Sequence, residues 1–166
     1  MISKMQTPTT NIADKVDEYR QKMVNLIANS EEIFHLVADE GQVFGEDDLV
    51  WTNIFPTEFV IGTQEKARTL VCVDVDINYD PVNNCYDVMD VYFFVSTHSN
   101  IMQHPDGQGL RVDAIIHEIR KLLDRKFITG LGVKKSKFLY NRRYNPTTTF
   151  RGRVLCMRFE DFKYGV

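Results

Sequence analysis

Asp74 and Asp76 stand two residues apart in the run Thr69–Asn78, so on an extended chain both side chains emerge on one face. If that run pairs with the next apolar run, Asp87 or Asp90 comes near them. Clustered carboxylates hold Mg2+, and a held Mg2+ activates water for phosphodiester cleavage. The Glu-X-Lys step of many nucleases does not follow these strands, and the plain alternative is a solvated strand face. His104-Pro105-Asp106-Gly107-Gln108-Gly109 precedes a helical pattern. Backbone N–H groups at a helix start hold anions, yet a Gly-rich turn is also an ordinary way into a helix, and GxG alone lacks the remaining glycines of a phosphate fingerprint. His117 falls opposite most of the apolar stripe of its helix, as an exposed or packing side chain does. No GxSxG, Walker, HExxH or Cys–His pattern occurs. Cys72, Cys85 and Cys156 are odd in number and widely spaced, as expected of free thiols in a reducing compartment. No metal, cofactor or catalytic residue is therefore assigned.

The strongest chemical signal is charge. Residues 1–119 carry seven Lys/Arg and twenty Asp/Glu, a net −13, whereas residues 120–166 carry thirteen and three, a net +10. Lys134, Lys135, Lys137, Arg142, Arg143, Arg151, Arg153 and Arg158 interleave with Phe138, Tyr140, Tyr144 and Phe150. Basic side chains among aromatics suit a nucleic-acid face or an interface hot spot. Three arrangements fit. The basic segment faces a polyanion, or it docks on the acidic part of a neighbouring copy, or the two parts mix within one molecule and cancel.

Those residues need elements to hold them. Ile12, Val16, Tyr19, Met23, Leu26 and Ile27 recur at steps of three and four and predict a helix to about Ala28, capped by Thr10 or Asn11. Asn29 with Glu32 predicts a capping box for a short helix over residues 31–38. The acidic segment 39–48 reads as a loop. Ile54 to Ile61 has weak strand character, and Pro56 argues against a central position there. Val71, Val73, Val75 and Ile77 alternate with Cys72, Asp74, Asp76 and Asn78. After the turn residues Asp80–Asn84, the run 87–97 alternates again, so the two form an antiparallel hairpin. Val112, Ile115, Ile116, Ile119, Leu122 and Leu123 make a second helical stripe, ended by Thr129-Gly130-Leu131-Gly132. Strands over about 135–142 and 150–162 close the chain.

The fold class is thus α+β: a mostly antiparallel sheet with an N-terminal helix and a long helix between two hairpins, packed on one face. The 166 residues fit a single domain, with 1–11 expected to be flexible and 141–149 (NRRYNPTTT) a protruding hairpin loop. Hydrophobic residues make up 43% and charged ones 26%, so the chain affords a core and is neither disordered nor fibrous. No apolar run reaches the roughly 18 residues of a membrane span. The N-terminus lacks the apolar segment of a secretory signal.

This layout resembles the tail-terminator, or tail-completion, and related neck proteins of tailed bacteriophages. The likeness rests on the N-terminal amphipathic helix, an acidic loop with a Phe-Pro step, the hairpin VCVDVDINYD…DVMDVYFFVST, the entry HPDGQGLRVDAIIHEIRKLL with Arg111 and Asp113 at its start, and a closing basic hairpin. The tail from Tyr140 onward is longer than a minimal member needs. The resemblance implies a structural virion protein without enzymatic activity. It would form a ring, a hexamer in that family, that caps the tail tube, ends tube polymerisation and joins tail to head. Its partners would be other copies, the tail tube protein, a neck connector protein and the DNA passing through the lumen. Assembly would take place in the host bacterial cytoplasm. Lys134, Lys135, Lys137, Arg142, Arg143, Arg151 and Arg153 would then lie at a basic subunit contact or the lumen, with Asp47, Asp48, Asp74 and Asp76 as acidic counterparts. A monomeric or dimeric DNA- or protein-binding adaptor, or a Mg-dependent nuclease, are the alternatives.

Overall fold

The computed structural model describes residues 12–44, 49–59, 61–62, 66–79 and 86–162. The segment 1–11 with its cap residues, Asp47 and Asp48, the turn at 80–84 and Cys85 lie outside them. In chain order the elements are α1 (Ile12–Ala28), α2 (Glu31–Val37), β1 (Ile54–Phe55), β2 (Thr69–Tyr79), β3 (Tyr86–His98), α3 (Arg111–Leu123), β4 (Lys137–Tyr144) and β5 (Phe150–Phe162), with a single 3-10 turn at Ser99–Ile101. The five strands form one sheet in the order β1-β2-β3-β5-β4. Only the two-residue β1 runs parallel to its neighbour. No helix among the described residues is long and apolar enough to cross a membrane.

Alternation decides which face is covered. Val71, Val73 and Val75 of β2, Met89, Val91, Phe93 and Val95 of β3, and Leu155, Met157 and Phe159 of β5 project to one side. There they meet Tyr19, Met23, Val24 and Ile27 of α1, Ile33, Phe34, Leu36 and Val37 of α2, and Val112, Ile115, Ile116, Ile119 and Leu123 of α3. The apolar spacing of both long helices, near 3.6, thus buries one stripe each on one sheet face. Three helices share that side, so the α+β arrangement read from the pattern is the observed one.

Several boundaries differ from expectation, each for a local reason. The cap of α2 is Ser30, whose Oγ accepts the Ile33 N–H at 3.4 Å, because Asn29 still closes α1 through its N–H to the Asn25 carbonyl. α3 stops at Leu123, well before residues 129–132. Arg125 there takes a left-handed φ of 57°, and Ser136 bonds the Leu123 carbonyl through its hydroxyl. The apolar Phe127 and Ile128 belong to the connecting loop. β1 is only two residues long and ends at Pro56, which has no N–H to give a ladder. β4 continues to Tyr144, because Asn141–Tyr144 pair with Gly152–Leu155, so the turn is 145–149, shorter than the 141–149 loop.

Two polar staples hold the ends. Lys15 is buried at the start of α1 and donates to Asp87 Oδ2 (3.1 Å) and the Phe162 carbonyl (2.9 Å), while Tyr19 Oη donates to Asp161 Oδ2 at 2.9 Å. Asn53 is likewise buried and donates from Nδ2 to the carbonyls of Val37 and Thr69. It anchors a tight turn in which the Leu49 carbonyl accepts from the N–H groups of Thr52, Asn53 and Ile54. Trp51 sits in that turn at φ 66° with its side chain 65% exposed. A left-handed backbone costs a bulky residue about 1–2 kcal/mol.

Candidate functional site

The even-numbered residues of β2, β3 and β5 project away from the helices. On this second face Asp90 is buried and receives Arg158 through two bonds, Nε at 2.7 Å and Nη2 at 2.8 Å, and Asn78 Nδ2 at 2.8 Å. Cys156 lies beside this pair, and burial pushes its thiol up to about 11. Toward the hairpin turn, the segment after β1 crosses the same face and makes a second, smaller apolar cluster of Phe55, Leu70, Cys72 and Phe150, with Phe59, Ile61 and Phe94 against it. Tyr144 Oη closes that cover by donating to Glu58 Oε1 at 3.1 Å. Burial likewise raises the Cys72 thiol to about 11.

The carboxylates read as a metal cluster do assemble in part. Asp76 and Asp90 are direct cross-strand partners. Each neighbour is engaged otherwise, however: Asp90 by Arg158 and Asn78, and Asp74 by Arg20, whose Nη2 reaches it at 2.6 Å from α1. No group of three His, Cys, Asp or Glu side chains among the described residues is arranged to hold a metal ion. The loop 104–109 uses its own N–H groups. His104 N–H donates to the Gly109 carbonyl, Gly107 N–H to the His104 carbonyl, and Asp106 N–H to His104 Nδ1. Gly107 and Gly109 adopt φ of 79° and 80°, which only glycine takes freely. This is a self-contained turn into α3. His117 is exposed and faces a concavity of about 620 Å3 shared with His35 and His104.

The basic segment divides into two groups at opposite ends of β4. Near the turn, Arg143 and Arg153 are cross-strand partners on the helix side, and Arg151 lies two residues before Arg153 on the same side. With Asp113, Leu110, Met102 and Thr148 they line a concavity of about 590 Å3 at the start of α3. Arg153 Nε donates to Asp113 Oδ1 at 2.6 Å, and Arg151 donates to the Thr147 carbonyl. Three guanidiniums therefore face one carboxylate. Gly152 lets β5 approach β3 closely here, since a Cβ there would lie 2.0 Å from the Val95 carbonyl oxygen. Arg142 points to the other face and lies over the Tyr140 ring at 4.3 Å. At the other end of β4, Lys134 and Lys137 both bind Glu160, Lys137 at 2.9 Å, and together they hold its carboxyl below the usual glutamate range. Lys135 stands 5.7 Å from the Phe127 ring.

The lysine end of β4 has features that the sequence pattern does not announce. Arg120, Asp124, Arg125, Ser136, Lys137 and Phe138 line a cavity of about 290 Å3 between the end of α3 and the strand. Arg120 stacks on Phe138 at 4.2 Å, and its buried Nε has no acceptor among the described residues. Phe127, Phe138 and Leu139 are exposed around it. At the opposite edge of the sheet, exposed Trp51 adjoins Asp17, Arg20 and Asp74, and Asp76 is exposed one step along β2. Asp74 and Asp76 thus lie on β2 beyond the two residues that β1 covers, and the basic residues of β4 at the far end of the strand order. Asp74 and Asp76 were legible at this edge, whereas Trp51, the only tryptophan of the chain and next to an acidic segment, was the signal missed. The charge cancellation within one molecule is partial. Arg158 and Arg153 find Asp90 and Asp113, while Arg142, Arg143 and Arg151 have no carboxylate partner among the described residues.

Comparison with curated proteins finds no match. A family model, YomW, matches residues 11–159, from the start of α1 to near the end of β5. That span takes in every element and both charged edges, and the chain therefore belongs to the YomW family, a phage-derived, Bacillus prophage-like family.

Proposed function

We propose that the protein is a structural virion component of a tailed phage. It forms a ring, of six copies by the resemblance, at the head-proximal end of the tail tube, ends tube polymerisation and joins tail to head. One observation carries the proposal: the acidic group of β2, the first long strand of the sheet, and the basic group of β4, its far edge strand, lie on opposite sides of the sheet. A closed ring needs two different complementary surfaces on each subunit, and opposite edges of a sheet provide them. The phage-derived family supports the setting. Assembly would use the tail tube protein on one side, a neck connector on the other, and a lumen through which DNA passes, with no catalytic step and within the host cytoplasm. Arg143, Arg151 and Arg153 would serve that lumen or a neighbouring protein.

The test is genetic. Deleting the gene from an inducible prophage that carries it yields overlong tails without heads, seen by negative-stain microscopy, and complementation restores virions. Tails of normal length joined to heads in the deletion strain overturn the proposal. The arginine concavity also favours a second possibility, a DNA-binding adaptor. In that case binding to bulk duplex DNA falls steeply with salt, and the slope lessens when Arg143 and Arg151 become glutamine.

A further inference from the structure

We infer that the occupant of the cavity beside Phe138 is Trp51 of a second copy of this chain. The inference rests on the ring proposal and names its subunit contact. Trp51 is 65% exposed in a left-handed turn that buried Asn53 pins in place, so the fold holds a large aromatic ring outward at a local cost. An aromatic side chain displayed on a rigid turn is the usual anchor of a protein contact. The cavity at the far edge of the sheet measures about 290 Å3 and offers the faces an indole selects: the Phe138 ring and the guanidiniums of Arg120 and Arg125.

Charge agrees with shape. Around the cavity stand Arg120, Arg125 and Lys137 against Asp124 and the Glu160 that Lys137 binds, and Arg120 Nε lacks an acceptor among the described residues. Around Trp51 stand Asp17 and Asp74, with Asp76 exposed beyond, against Arg20 and Arg68, whose guanidinium donates to the Thr52 carbonyl. A cationic hole and an anionic knob on opposite edges of one molecule do not meet within that molecule. They meet head to tail between copies, and repetition of that contact gives a ring or a filament. The alternative of strand addition is disfavoured, because β4 carries a bulge between Phe138 and Tyr140 and the charged Lys137, devices that block edge pairing.

Trp51 is the only tryptophan, so its emission reports the contact directly. Purified full-length protein is followed by light scattering and fluorescence from micromolar to near-millimolar concentration. The expected result is a rise in mass above a dimer accompanied by a blue shift of the emission. Trp51→Ala and Arg125→Asp, the latter tolerant of the left-handed backbone at that position, each weaken self-association at least tenfold, as loss of a hot-spot anchor does. Mixed together they form a one-to-one pair with blue-shifted emission, since one keeps the cavity and the other the tryptophan. That rescue also shows that both variants are folded. A wild-type chain that stays monomeric, a mass rise without an emission shift, variants that assemble as the wild type does, or a mixture that forms no pair would each overturn the contact. The ring proposal stands or falls separately on the tail phenotype of the deletion strain.

Discussion

The two faces of the sheet are built on different physics. The face toward the helices is aliphatic and aromatic along its middle, from Val71 to Phe159, and closes there by apolar burial, with the ion pairs Lys15–Asp87 and Arg153–Asp113 at its ends. The opposite face has no helix on it. It is closed at one end by the aromatic segment around Phe55 and Phe59, and along its middle by charges that find each other across strands. The apolar middle of the first face is bound to be insensitive to pH and salt, and the middle of the second to respond to both. A sheet covered on one side keeps a functional surface on the other and at its edges, because those are the places where unlike side chains remain reachable.

The largest effect expected belongs to the helix-covered face. Phe93 is fully buried in the middle of β3, and Phe93→Ala removes its contacts and leaves a cavity. The loss is about 3–5 kcal/mol, and the thermal midpoint falls on the order of 10 °C. The loss is the same in low and high salt. Thermal unfolding by circular dichroism at two salt concentrations checks it, and a salt-dependent difference would mean that the two faces are not independent.

Next comes the middle of the open face. Arg158→Met leaves Asp90 buried, 5% exposed, with the Asn78 amide as its remaining hydrogen-bond donor among the described residues. An uncompensated buried carboxylate costs about 2–3 kcal/mol here, below the full penalty because the Arg158 side chain is itself 37% exposed. The same substitution loosens the surroundings of Cys156. In the wild type that thiol, raised to about 11 by burial, stays protonated and resists iodoacetamide at pH 8. In Arg158→Met its labelling, read by peptide mass spectrometry, becomes roughly tenfold faster through local opening. Equal labelling in both proteins would show that packing alone, without the ion pair, keeps this face dry.

How much of this was legible in the sequence follows from range. Alternation is a property of neighbours, so the faces of β2, β3 and β5 and the stripes of α1 and α3 could be read from Val71, Met89, Leu155, Met23 and Ile115 without a structure. The hairpins followed from their turn chemistry. The partner of each charge could not be read. Asp90 and Arg158 are 68 residues apart, and they meet only because β5 inserts between β3 and β4. That insertion changed a suspected carboxylate cluster into an ion pair. It also split the basic segment, which had looked like one surface, into an arginine group at the turn and a lysine group around Glu160. The end of α3 was misread for a similar reason. Phe127 and Ile128 continue the helical period, but the Ser136 hydroxyl, thirteen residues on, takes the Leu123 carbonyl and fixes the stop.

The smallest effect sharpens the contrast most. Glu160, on the open face, sits between Lys134 and Lys137, whose hydrogen bonds hold its carboxyl below the ordinary value of 4.5. A carboxylate depressed in the folded state contributes stability that is complete above its unfolded value and disappears as pH falls through the folded one. Both lysines are substantially exposed, so the contribution is on the order of 0.5–1 kcal/mol and is screened by salt. Glu160→Gln therefore unfolds more readily than the wild type at pH 7. The gap closes as pH drops below 4.5, where the wild-type carboxyl becomes protonated as well. The deficit of Phe93→Ala, by contrast, is constant over the same range, since no group it touches gains or loses charge. Urea denaturation of the three proteins at neutral and acidic pH, on a common slope, makes the comparison. Convergence of Glu160→Gln with the wild type at low pH assigns the effect of Glu160 to its charge, and a gap that persists would assign it to packing instead.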